Sequence, residues 1–325
     1  MRFNKWLLII GIQCISVSSF SQSPFAHDPV MIKQDGSYYM FCTGWGISSF
    51  SSTDMINWTM EKPVFKSAPE WAVKEIPGYR GHTWAPDIMQ YRGKYYLFYS
   101  VSAFGKNTSC IGMAENVTLN PKSPEYKWID HGKIIQSVPG RDNWNAIDPN
   151  LILDEKGNPW LSFGSFWSGI KLVKLADDLS GIAQPEEWYG IASRPRDQLV
   201  EEKKAGDGAI EAPFIFKHDN YYYLFVSFDY CCRGIESDYK IMVGRSETIT
   251  GPYLDKEGMS MLYGGGSLVL EGNKNWPGVG HCAIYNFDCK DVIVFHGYDA
   301  MDEGKSKLLI RDLIWDEAGW PTAKL

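Results

Sequence analysis

Asp28, Asp148, Glu211 and His281 each open a similar run of residues: a short apolar strand, a polar turn, then a second apolar strand that is aromatic in most units. A fifth run opens with Trp84-Ala85-Pro86 and carries no acid there. Three carboxylates gathered at one point repel one another, which raises some of their pKa values and keeps at least one group protonated near neutrality. One protonated and one ionised carboxyl group are what hydrolysis of a glycosidic bond needs, the first to protonate the leaving oxygen and the second to activate water. In isolation, an Asp or Glu beside a strand-starting Pro is most simply a turn cap. An acid at three of five equivalent openings argues against that reading. His281 by itself reads as a histidine lining a channel, and Asp87, out of register by two, as a structural partner.

The elements that would bring these residues together are repeated hairpins. In the fourth unit Pro213 to Phe216 is followed by the turn Lys217 to Asn220 and the strand Tyr221 to Val226. The other turns are Gln34-Asp35-Gly36, Arg92-Gly93, Glu155 to Asn158, and Asp288 to Lys290. Strand, tight polar turn, strand is a hairpin signal. Asp28 to Ala85 is 57 residues, Ala85 to Asp148 is 63, Asp148 to Glu211 is 63, and Glu211 to His281 is 70. Each unit has room for about four strands, the size of a propeller blade. The predicted fold is all-β: one five-bladed β-propeller domain over residues 22–325. The innermost strands line the central channel, so their openings converge. Few residues precede Asp28, so closure of the ring is expected to rest on packing of Leu308 to Trp315. Trp58, Trp128 and Trp315 are expected to serve blade packing.

Residues 1–21 read as a signal peptide: Arg2 and Lys5, an apolar run from Trp6 to Ile10, and Ser19-Phe20-Ser21 as a cleavage site. The protein is therefore expected to be secreted or periplasmic, and no run is long enough to span a membrane. The formal charge is −7, and losing Arg2 and Lys5 makes it −9. An acidic chain without a basic stripe is a poor nucleic-acid binder. Six cysteines follow the leader: Cys42, Cys110, Cys231, Cys232, Cys282 and Cys289. They read as structural thiols, since no Cys-x-x-Cys is present and the core is large enough to need no bridge.

His27-Asp28-Pro29, Trp84-Ala85-Pro86-Asp87, Asn145-Ala146-Ile147-Asp148-Pro149, Gly164-Ser165-Phe166-Trp167, Glu211-Ala212-Pro213 and Gly280-His281-Cys282 together resemble the motif set of glycoside hydrolase family 43. The likeness runs from about residue 25 to 300 and is greatest to endo-1,5-α-L-arabinanases. It implies an inverting enzyme acting on arabinan, with Asp28 as general base, Glu211 as general acid, and Asp148 as the third carboxylate that orients the acid and raises its pKa. It also implies that His281 stands beside a hydrated calcium or similar ion in the channel. Trp84, Phe104 and Trp167 would form the sugar platform, with Trp167 on an exposed loop. His27, Gly105, Asn145, the backbone of Ala146 and Ile147, Ser165 and Phe166 would add substrate contacts. Cys231-Cys232, in the loop from Asp229 to Arg233, is placed to narrow or open the groove. The same trio would serve an exo-acting α-L-arabinofuranosidase or a β-xylosidase, because it does not choose the sugar. A non-catalytic sugar-binding propeller has no use for mutually repelling carboxylates. A monomer without an organic cofactor is expected.

Overall fold

Two-residue turns fold the chain back on itself in four of the five units, pairing Gln34 with Ser37, Tyr91 with Lys94, His218 with Tyr221 and Phe287 with Lys290. Asp35-Gly36, Arg92-Gly93 and Asp288-Cys289 all take positive φ, the conformation that matches the twist of the flanking strands. The third unit has a longer loop, held by the Asp154 carboxylate, which accepts the N–H groups of Lys156 and Asn158.

The computed structural model describes residues 24–201 and 204–325, and the predicted leader lies outside them. Five antiparallel sheets form the blades of the propeller. The first contains Val30–Gln34, Ser37–Cys42, Ser48–Ser52 and Thr59–Met60. The second contains His82–Tyr91, Lys94–Val101, Ser109–Asn116 and Ile129–Ser137, with Gly44–Trp45 from the preceding unit on its inner edge. The third runs Asn150–Leu153, Pro159–Phe163, Ile170–Lys174, Trp188–Ala192. The fourth runs Ile210–His218, Tyr221–Phe228, Lys240–Ser246, Ser267–Leu270. The fifth has Val279–Phe287, Lys290–Asp299 and Lys305–Asp312. Among the described residues no helix is long and apolar enough to cross a membrane.

The aromatic second strands supply the packing between blades. Phe41, Phe98, Phe225 and Phe295 are essentially inaccessible, and burying each such ring stabilises by roughly 1.5–3 kcal/mol. Trp128 meets Phe41 edge-on, Trp315 stacks on His218, and Trp58 packs on the cluster around Met31 and Met40, as expected of blade tryptophans. Asp87 also has the structural role read for it. Its buried carboxylate accepts the Leu151 N–H and the Asn150 amide, tying the second blade to the third.

Ring closure departs from expectation. Pro24 O accepts the Leu308 N–H at 3.0 Å and Phe25 bridges Lys307, so the residues before Asp28 do add to the outer side of the fifth blade. Two residues suffice because a single bridge is enough to seat Ala26 against Leu308 in one core cluster. Trp315 takes no part: its ring packs on Phe216, His218 and Tyr223 of the fourth blade and its Nε1–H donates to Asp291 of the fifth, so it joins those two blades.

Candidate active site

Each blade begins with one residue in the left-handed region: Asp28 (φ 55°), Ala85 (43°), Asp148 (58°), Ala212 (55°) and His281 (52°). These are the equivalent positions. Glu211 therefore stands one residue ahead of the register that the sequence suggested. Its counterparts are Trp84 and Gly280, which the same bulge follows: Glu211 faces Ser227 as Trp84 faces Ser100 and Gly280 faces His296, with pairing resuming three residues on in each blade.

The N–H of each left-handed residue is held by a side chain from the blade that precedes it around the ring. Ala85 donates to Thr43 Oγ1, Asp148 to Ser100 Oγ, His281 to Ser227 Oγ and Asp28 to His296 Nδ1, at 2.8–3.1 Å. Thr43, Ser100, Ser227 and His296 occupy one position of the repeat, and the third blade has Gly164 there. Gly164 lies at φ 132°, and a Cβ on it would sit 2.7 Å from Gly169 O. With no side chain available, the Ala212 N–H turns to Asp148 Oδ2 at 3.1 Å. The exception fixes a carboxylate beside Glu211.

Asp28 is buried among three imidazoles. Its Oδ2 accepts Thr43 Oγ1–H at 2.6 Å. Oδ1 lies 3.0 Å from His281 Nδ1 and 2.9 Å from His27 Nδ1, the latter without good hydrogen-bond alignment. Burial alone would raise its pKa, but the charges and hydrogen bonds of His27 and His281 outweigh that and hold it well below the usual carboxylate range. His296 contributes as a neutral ring, since its Nδ1 accepts the Asp28 N–H and burial pushes its pKa down. His281 moves the other way. Burial opposes its charge, but Asp28, with Asp148 and Glu211 beyond, raises it to about 9.

Asp148 and Glu211 are shifted upward as a pair. Burial is the main cause for Asp148, offset by His281 and reinforced by Glu211 and Asp28, and it is raised to about 8. Burial also raises Glu211, against the pull of Ser165, Tyr239 and His281. Ser165 Oγ–H donates to Glu211 Oε2 at 2.8 Å and Tyr239 O–H to Oε1 at 2.9 Å, which fixes the plane of the carboxyl group.

These groups share a cavity of about 760 Å³, within the usual range for ligand sites. Its walls include His27, Trp84, Phe104, Gly105, Asn145, Ile147, Ser165, Phe166 and Trp167, and the structure brings these predicted contacts together. Three predicted details change. Ala146 is fully buried and its N–H goes to Ser137 Oγ, so it has no face toward the cavity. The Ile147 backbone is likewise engaged, with Asn145 O and the Gly164 N–H, leaving only its side chain at the wall. Trp167 is 3% exposed, packed into the wall, with its indole N–H unpartnered. Phe104, by contrast, is 81% exposed at the rim.

Thr43, His82, Tyr239, His296 and Tyr298 were not apparent as site residues from the sequence. Thr43 could have been found by aligning the second strands, where it matches Ser100 and Ser227. Nothing local marks Tyr239. Cys231 and Cys232 form a disulfide with each other, contrary to the expectation of free thiols. Adjacent in sequence, they close no large loop and serve the cavity wall they line. The Cys232 N–H donates to Tyr298 Oη at 2.7 Å, and Tyr298 Oη lies 3.0 Å from His27 Nε2.

The profile of "Glycosyl hydrolases family 43" matches residues 22–321. The chain is 50% identical to the extracellular exo-α-(1→5)-L-arabinofuranosidase ArbA of Cellvibrio japonicus, over 98% of this chain and 92% of that one. It is 47% identical to the extracellular endo-α-(1→5)-L-arabinanase 1 of Bacillus subtilis, over 91% and 87%. Among solved structures, the α-L-arabinanase of Cellvibrio cellulosa in complex with arabinohexaose superposes with a TM-score of 0.92 at 51% identity, covering 93% of this chain and 96% of that one.

Proposed function

The chain belongs to glycosyl hydrolase family 43 and is a glycosidase, and from this we propose that it hydrolyses α-1,5-linked L-arabinan with inversion. Asp28 is the general base, Glu211 the general acid, and Asp148 the group that keeps the acid protonated. The observation that carries this reading is the opposite perturbation of carboxyl groups around one cavity: Asp28 is held ionised, while Asp148 and Glu211 share a tendency to keep a proton. Carboxyl groups pushed apart in this way mark a base and an acid. Asp28 would take a proton from water, and Glu211 would give one to the departing sugar oxygen. Trp84 and Phe104 would stack on the furanose rings, with Trp167 packed in the wall beside them. The extracellular relatives support action outside the cell.

The first reading is cleavage within the chain. Release from a chain end is the second, favoured by the exo-acting relative at 50% identity. Incubation with debranched arabinan separates them. Endo action yields a ladder of oligosaccharides and a rapid fall in viscosity; exo action yields one short product with viscosity nearly constant. No product from any arabinan overturns both.

The residues present fit a cation at the channel. His281 uses Nδ1 for Asp28, and its Nε2 has no partner among the described residues, with three carboxyl groups nearby. His27, Asp28 and His296 have ligand atoms within 4.8 Å of one another. However, His27 Nε2 is engaged with Tyr298 and His296 Nδ1 with the Asp28 N–H. Nε2 of His281 is thus the better-suited ligand atom for a hydrated calcium or similar ion, which would take the place of the proton held there in its absence and supply positive charge among the carboxylates. Chelation should lower turnover while leaving the thermal unfolding midpoint nearly unchanged. Full activity in protein shown by elemental analysis to be metal-free would refute the ion's role.

A further inference from the structure

Trp45 is 66% exposed, yet its backbone is tightly held. Gly44–Trp45 pairs with His82 and Thr83 on the edge of the second blade. The Gly46 N–H donates to Gly81 O at 2.8 Å, and Gly46 O accepts the Phe65 N–H at 2.9 Å. Gly46 lies at φ 68°, where a Cβ would come within 2.0 Å of Phe65 O, so the turn admits only glycine at that point. A large apolar side chain is thereby presented to solvent on a rigid mount.

The Trp45 ring meets His82 edge-on, with centroids 5.5 Å apart. Trp84 Nε1–H donates to His82 Nδ1 at 2.9 Å. An indole nitrogen can only donate, so the His82 proton is on Nε2. Burial and the neighbouring His27 both lower the His82 pKa, which agrees with a neutral ring. His82 and Trp84 line the cavity, and Trp45 lies beyond them. The aromatic wall therefore continues out of the cavity through Trp84 and His82 to Trp45, and the His82 Nε2–H has no partner among the described residues.

We infer that Trp45 and His82 form a further sugar-binding site outside the cavity, which takes one more furanose residue of a neutral chain leaving past Trp84. Trp45 gives the flat apolar face and His82 Nε2–H a donor for a sugar hydroxyl. This inference rests on the arabinan reading above and adds the direction in which the chain departs.

The test is kcat/KM for α-1,5-arabino-oligosaccharides from the trisaccharide to the octasaccharide, since binding to remote residues of a substrate raises kcat/KM with chain length. In the unsubstituted protein kcat/KM rises once the oligosaccharide is long enough to reach Trp45. In Trp45→Ala that rise shrinks about three- to tenfold, and Trp45→Phe recovers most of it. An unchanged length dependence refutes the inference. So does an equal loss at every length, which would mean that Trp45 only props His82 and Trp84. Failure to cleave any arabino-oligosaccharide would sink the underlying function as well, whereas normal cleavage with no effect of Trp45 sinks only this site.

Discussion

Asp28→Ala should lose activity on arabinan and on an aryl arabino-oligosaccharide alike, by at least on the order of 10²–10⁴-fold. Glu211→Ala should lose as much on arabinan but far less on the aryl substrate. The difference follows from what each group does to the bond. A phenolate leaves with little need of a proton, so loss of the acid is partly bypassed. Water must be activated whatever leaves, so loss of the base is not. An inverting enzyme has a water between base and sugar, which sets the two carboxyl groups about 6.5–9.5 Å apart, and the first product should carry inverted anomeric configuration by proton NMR. The assignment fails if the aryl substrate rescues Asp28→Ala instead, or if configuration is retained.

Asp148→Asn should shift the alkaline limb of the pH profile toward lower pH and cut turnover of arabinan near neutrality by roughly 10-fold or more. With Asp148 present, the pair shares a proton, and the negative charge of one member makes the other hold its proton more firmly. With Asn in its place, Glu211 titrates alone and is deprotonated sooner. The amide oxygen can still accept the Ala212 N–H, so the backbone there should keep its shape. Stability should move oppositely. A buried acid raised to about 8 binds a proton in the folded state between its ordinary value and about 8, where the unfolded chain has lost it. Its contribution is therefore present at low pH and is lost as pH rises through about 8. Removing that group should raise the unfolding midpoint of Asp148→Asn above its parent's at alkaline pH. An alkaline limb that stays in place, or a lower midpoint at alkaline pH, would refute the role given to Asp148.

The architecture was legible because the hairpins carry local signals: a Pro after the left-handed opening residue in four of the five units, a turn with Gly or Asp, and a second strand that is aromatic in most of them. Their spacing then determined the number of blades. The positions of individual groups were less legible. Glu211 reads as equivalent to Asp28 and Asp148 by residue type, yet the left-handed residue is Ala212; the Pro that directly follows Asp28, Ala85 and Asp148 follows Ala212 in the fourth unit, and that one-residue offset is the mark the sequence carries. Trp167 reads as exposed from its Gly and Ser neighbours, but the loop tucks its indole into the wall. Tyr239 stands just before one strand and His296 lies within another, and neither local pattern hints that their polar atoms reach a carboxylate or an opposing backbone. Such contacts depend on how blades meet, and no single blade encodes that.

The Asp28 site is made from the two far ends of the ring. Its N–H is held by His296, 268 residues away in sequence, and its carboxylate depends on His281. Contacts so distant along the chain are among the last to be secured in folding, because the loop between them must be closed first. During synthesis Asp28 emerges with the first blade and meets His281 and His296 only when the fifth is made. On the proposed roles, a nascent chain bearing four complete blades would have its acid, Glu211, but no working base. Catalytic competence would then coincide with closure of the ring, and the topology would itself check that the whole chain has been made and folded.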